Sequence, residues 1–180
     1  NWNGAFAAAA YATGPSNNSA YDGIRRYPYS SDLSKNPLTF KHIRNGTALP
    51  AMPAPAFGQD GASNSEVHNT GEVWTSMLWE CYTALLRDTG RYTFDQASQA
   101  MREYLVASLK LTPINPTMLE ARDAVLLAAL ARSEQDFELF ARAFARRGMG
   151  VFAVAPPRVP THHAGDVESW LVLFVAPVVA

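Results

Sequence analysis

The chain has 180 residues, of which 48% are apolar and 17% charged. That is enough apolar material to bury a core, and it excludes a disordered chain. The formal net charge is −1, with arginines and acids interspersed. This excludes the basic block with which nucleic-acid binders neutralise phosphates, so no nucleic acid is expected as a partner.

Residues 1–66 read as mostly irregular. Asn3-Gly4, the run from Gly14 to Ser19, and Asp22-Gly23 are turn signals. Ala7–Ala10 fits helix or strand, because alanine alone carries no period. Leu49–Pro55 is expected to be extended, since each proline keeps its predecessor out of the α region. Gly58–Asn64 reads as a small-residue loop.

From Glu72 the character changes to helix. Apolar residues fall at 74, 77, 78, 81, 82 and 85, one face of a 3.6-residue period running to about Arg87. Gly90 is expected to supply a left-handed stop. Cys81, the single cysteine, can form no internal disulfide and sits on the apolar face as a small packed hydrophobe. Thr93 can cap a second helix with apolar positions 94, 97, 101, 104, 105 and 108, ending before Thr112-Pro113. Thr117 can cap a third from Met118 to about Arg132, apolar nearly all round and so expected in the core. Ser133 with Asp136 resembles a capping box opening a fourth helix, with Arg146 and Arg147 at its dipole's negative end and Gly148 as its stop. Phe137, Phe140, Phe144 and Phe152 are expected in the core.

The tail differs. Pro156-Pro157, Pro160 and Gly165 mark a loop, and Trp170–Val175 reads as a buried strand. The apolar run from Trp170 to Ala180 is eleven residues broken by Pro177, whereas a helix needs roughly 20 to cross a bilayer. No membrane partner is expected. The chain opens on Asn1-Trp2-Asn3-Gly4 with neither initiator methionine nor signal peptide, which reads as part of a longer precursor.

His68 is placed on the last loop turn or the first turn of a helix whose buried face makes it rigid. A histidine there can donate a fixed hydrogen bond into a cleft, or merely cap and pack; spacing leaves both open. His68 and Glu72, four apart, supply half of a four-ligand metal site, and the adjacent His162-His163 pair is poorly suited to complete it. Glu72 reads better as an acid favouring the helix dipole. Arg122-Asp123, on an apolar helix, is expected to be paired or directed to a helix end.

Four blocks resemble the fungalysin family of secreted zinc metallopeptidases, relatives of thermolysin, in the family's order. They are Gly23-Ile24-Arg25-Arg26-Tyr27-Pro28-Tyr29-Ser30 with Asn36–Phe40; His68-Asn69-Thr70-Gly71-Glu72-Val73-Trp74; Asn115–Ala124; and Phe144–Gly150. The resemblance implies a mainly α fold, the helical C-terminal lobe of a thermolysin-like metallopeptidase with an irregular N-terminal part and a short C-terminal strand. Residues 1–66 would contribute to the substrate cleft wall, 67–150 would form the helical lobe, and 151–180 the loop and terminal strand, all one structural domain.

It also implies roles. His68 matches the histidine that donates to the oxyanion of the tetrahedral intermediate. Ile24 and Arg25 match an aliphatic pocket wall and an arginine that holds a substrate carbonyl; Arg26 is an equally basic neighbour. The carboxylate that orients His68 has no match at the family's spacing. Asp60 and Glu66 are the nearby acids, with Glu66 preferred. The family's zinc motif, His-Glu-x-x-His, is absent from this sequence. Zinc is therefore expected in the complete enzyme, held by the missing N-terminal half as partner, with none bound by this chain and no peptide hydrolysis by it alone. The substrate would be a peptide or protein and the location extracellular. The rival reading is a non-catalytic helical interaction module derived from that family.

Overall fold

Side-chain caps set where the helices begin. The computed structural model describes residues 2–13, 19–50, 63–159 and 161–172. Among these lie six helices: α1 (Ala10–Thr13), α2 (Ser19–Asp22), α3 (Val67–Arg87), α4 (Phe94–Leu111), α5 (Met118–Leu130) and α6 (Glu134–Arg146), with a 3-10 turn at Phe40–Ile43. The fold is mainly α.

Thr93 and Gln96 close a reciprocal capping box on α4, and Thr117 and Glu120 close another on α5. Each such cap stabilises its helix by about 1 kcal/mol. On α6 the Ser133 hydroxyl accepts from the Asp136 amide at 3.2 Å, but the expected return bond is absent. The Asp136 carboxylate turns inward, where it accepts from the Tyr92 and Tyr104 hydroxyls at 2.5 Å each and pairs with Arg91 at 2.7 Å. α3 starts five residues before the expected Glu72, because Glu66 caps it by accepting from the amides of His68 and Asn69. It does not end on a left-handed Gly90, which lacks a positive φ. Asp88 (φ −84°, ψ 61°) turns the chain instead, its amide donating to the Leu85 carbonyl.

α3 packs on α4 and α6, and α5 packs on α4 and α6. The shared core holds Val73, Met77, Cys81 and Leu85 of α3 with Met101, Tyr104, Val125, Phe140 and Phe144. Leu126 and Phe137 pack against it from part-buried positions. α5 is not buried all round. Its small side chains, Ala124, Ala128 and Ala129, face inward with Val125, while Leu127 and Leu130 stay about half exposed. Phe152, expected in the core, is 62% exposed, since it lies on a turn beyond the bundle.

Two α3 faces are buried, and they are chemically opposite. Asn69, Glu72, Ser76, Glu80 and Thr83 form a polar stripe at helical spacing. Residues 26–38 lie against it. The Ser76 hydroxyl accepts from Asn36 Nδ2 at 3.1 Å. Arg147 stands at the C-terminal end of α6 as expected, but its side chain turns inward. Fully buried, it donates to Glu80, Ser30 O, Asn36 O and Leu38 O at 2.6–2.9 Å. That guanidinium ties the end of α6 to α3 and to the irregular segment. Gly148 follows at φ +87°, a left-handed stop as expected.

The tail returns to this junction. Met149 bridges Ser169 in parallel, and Val154 bridges Val167 antiparallel. The expected buried strand does not begin at Trp170, which is 59% exposed; Leu171 is half exposed and neither residue is in a strand. Residues 173–175 lie outside the described residues, as do 51–62, which carry most of the expected extended Leu49–Pro55 segment, the small-residue loop and Asp60.

Candidate active-site cleft

A surface cleft of about 460 Å³ lies where the irregular segment meets the N-terminal turn of α3. Ile24, Arg25, Ser63, Glu66, His68 and Asn69 line it, with Arg26 beneath. Residues some forty positions apart in sequence, the pair 24–25 and the pair 66–68, are thus brought together.

Glu66 acts at two points. One carboxylate oxygen caps α3, accepting from the His68 amide at 2.8 Å and the Asn69 amide at 3.3 Å. The other lies 2.7 Å from His68 Nδ1. These bonds, the imidazole's first among them, hold the Glu66 carboxyl below its ordinary value. An ionised carboxylate can only accept, so Nδ1 carries a proton. The His68 side chain is 71% exposed, leaving Nε2 to face outward. With Nδ1–H fixed, Nε2 donates when the ring is the imidazolium and accepts when it is neutral.

Arg25 is part-buried, and its Nε is shielded from solvent without a hydrogen-bond partner among the described residues. The residue lines the cleft, and a planar guanidinium fork suits a ligand's carbonyl or carboxylate. Arg26 turns inward. It is buried and donates to Glu72 at 2.6 Å, Asn64 Oδ1 at 2.7 Å and Asn69 O at 3.1 Å. Glu72 is therefore not the solvated dipole acid that its position suggested. Burial pushes its carboxyl up, against the opposing pull of Arg26. Asp22, three residues before Arg25, is buried with both oxygens unpartnered among the described residues. Burial, then the Glu72 charge, raises it to about 6.

Sequence reading missed this floor. The signal was available as Glu72, Ser76, Glu80 and Thr83, polar residues at intervals of four, four and three beside an apolar face.

A zinc ion does not fit here. Among the described residues no three His, Cys, Asp or Glu side chains converge as ligands. His162 bonds Asn45 through Nδ1, and His163 lines a separate cavity with Ile43, Pro116 and Arg158. Cys81 is buried in the core, where desolvation pushes its thiol well up. Arg122 is paired with Asp123 and donates to the Met149 and Gly150 carbonyls, a role confined to holding the tail junction.

The profile of the fungalysin metallopeptidase family (M36) matches residues 2–153, and the chain belongs to that family. It is 35% identical over 143 residues to an extracellular metalloproteinase of Aspergillus fumigatus, covering 73% of this chain and 20% of that protein. An extracellular metalloproteinase of Aspergillus terreus is 32% identical over 140 residues, covering 71% and 19%. Extracellular metalloproteinase 1 of Arthroderma otae is 30% identical over 160 residues, covering 82% and 22%. The chain thus spans about a fifth of the length of these relatives, and the location that goes with them is extracellular.

Proposed function

We propose that this chain is the helical C-terminal lobe of a secreted zinc endopeptidase, supplying one wall of the cleft and the donor that stabilises the oxyanion. Zinc would be held by residues outside this chain, and no step at the metal follows from the residues here. Peptide or protein is the substrate class. Arg25 would hold a substrate carbonyl through its guanidinium, with Ile24 as the apolar wall beside it. His68 Nε2–H would donate to the oxygen as charge develops on it, while Glu66 keeps the other ring nitrogen protonated and the ring fixed. A donor aimed at developing charge acts mainly in the transition state.

The observation that supports this reading is the 2.7 Å contact between Glu66 and His68 Nδ1 at the edge of the cleft that Arg25 lines. The test is His68→Ala in the complete protein. We expect intact zinc content and fold, kcat down by about 100-fold or more, and KM nearly unchanged. Zinc loss in the variant would make His68 a ligand. Near-normal activity would leave the lobe as an interaction module.

A further inference from the structure

The two halves of the cleft come from segments without a shared element. Ile24 and Arg25 sit on an irregular stretch, and His68 sits on the first turn of α3. One buried guanidinium joins them. We infer that Arg26, with Glu72 and Asn64, is a positioning device that fixes Arg25 against His68; this rests on the cleft reading above.

Three Arg26 nitrogens reach the three parts that carry the cleft. Nε donates to Glu72 Oε2 at 2.6 Å, on α3 one turn beyond His68. Nη2 donates to the carbonyl of Asn69, the residue after His68, at 3.1 Å. Nη1 donates to Asn64 Oδ1 at 2.7 Å, on the turn leading into Glu66. The other Glu72 oxygen accepts from the Tyr27 amide at 2.8 Å, so the chain on the far side of Arg26 is held as well. Asn64 passes the connection on through Nδ2 to the carbonyls of Arg44 and Thr47. Asn69 Nδ2 closes the loop by donating to Ser63 O at 2.9 Å, also on the cleft wall.

Both charged side chains are only 1% exposed. A buried ion pair is weak as a source of stability, because desolvation offsets most of the attraction. It does supply direction, since a planar fork accepts partners at fixed angles only. Adjacent backbone positions cannot move independently. Holding Arg26 on three sides therefore holds Arg25, whose side chain lines the cleft. A displacement of about 1 Å in such a group can cost on the order of 100-fold in rate.

The experiment is a double-mutant cycle in the complete protein, with Arg26→Lys and His68→Ala measured singly and together. Lysine keeps the charge and loses the fork. We expect Arg26→Lys to retain zinc and a folded thermal transition while lowering kcat/KM by about 10- to 100-fold. In the His68→Ala background the same change should lower it by less than about 3-fold, since the misaligned partner is already gone. Equal losses in both backgrounds would make Arg26 a structural residue and overturn the positioning role, with the cleft reading intact. If His68→Ala alone has no effect, the cleft reading fails first. Should Arg26→Lys not fold, Asn64→Ala removes a single anchor, and the same cycle and criteria apply to it.

Discussion

The segment 94–146 and the segment 19–50 pack on the same helix by different physics. The first is three helices with capped starts and an interior of Met101, Tyr104, Val125, Phe140 and Phe144. The second has regular structure only at α2 and one 3-10 turn; it adds Tyr27, Leu38, Phe40 and Ile43 to the same core, and beyond these it is tied to α3 by charged and amide side chains. Apolar packing is non-directional and tolerates small shifts, whereas a guanidinium bonded on several sides does not. The cleft opens on the second kind of contact, where Arg26 joins residues 24–27 to the first turn of α3.

The sharpest contrast comes from removing the centre of each region. Arg147→Met should cost at or above about 3–5 kcal/mol, because it leaves Glu80 buried without its main partner and orphans three carbonyls. Phe144→Ala should cost about 3–5 kcal/mol by opening a cavity among fully buried neighbours. Both are read from denaturant midpoints of the chain. If Arg147→Met costs less than 1 kcal/mol, the polar seam does not hold the irregular segment. If Phe144→Ala leaves the midpoint unmoved, the core assignment is wrong.

The difference also explains what could be read in advance. Helices α4, α5 and α6 were legible because periodicity and caps are local: Thr93, Thr117 and Ser133 each mark a start within one turn. Misjudgements arose where a residue's local signal was overruled by a distant partner. Asp136 looked like half of a capping box and instead serves Tyr92 and Tyr104. Glu72 and Arg147 looked like helix-end charges and are buried links to residues 26–38. Of the cleft, His68, Arg25 and Ile24 are marked by the family resemblance, whereas Glu66 matches no family position and is legible only as one of two acids near His68. Of its floor, the polar stripe on α3 is legible as a second buried face, but nothing local says that Arg26 rather than Arg25 turns inward to meet it.

The next effect, on pH, comes from two buried groups of the segment 19–50, Asp22 and His42. Asp22 ionises at about 6 in the fold against 3.8 ordinarily. Between those values the folded chain holds a proton that the unfolded chain has lost, so this contribution to stability falls as pH rises and stays low above about 6. His42 has the opposite sign. Burial lowers it from 6.5 to about 4, so its contribution is present above 6.5 and is lost as pH falls toward 4. Asp22→Asn should therefore raise stability at pH 7–8 by about 1–2 kcal/mol and give a steeper fall toward pH 4. Thermal midpoints across pH 4–8 check it. A variant less stable at pH 8 than the wild type would show that the Asp22 carboxylate has a stabilising counterpart.

The smallest effect should come from the helical region's own local device. Thr117 accepts from the Glu120 amide at 3.2 Å, and Glu120 Oε2 accepts from the Thr117 amide at 2.7 Å. Thr117→Ala removes one half of that exchange and should cost about 1 kcal/mol, and Thr117→Ser should restore nearly all of it. Because the box serves one helix start and nothing across the seam, its cost should add to that of Arg147→Met within about 0.5 kcal/mol. A clearly larger combined loss, measured from the denaturation midpoints of the single and double variants, would mean that the helical region and the polar seam are coupled through α5. The two regions would then have to be treated as one cooperative unit.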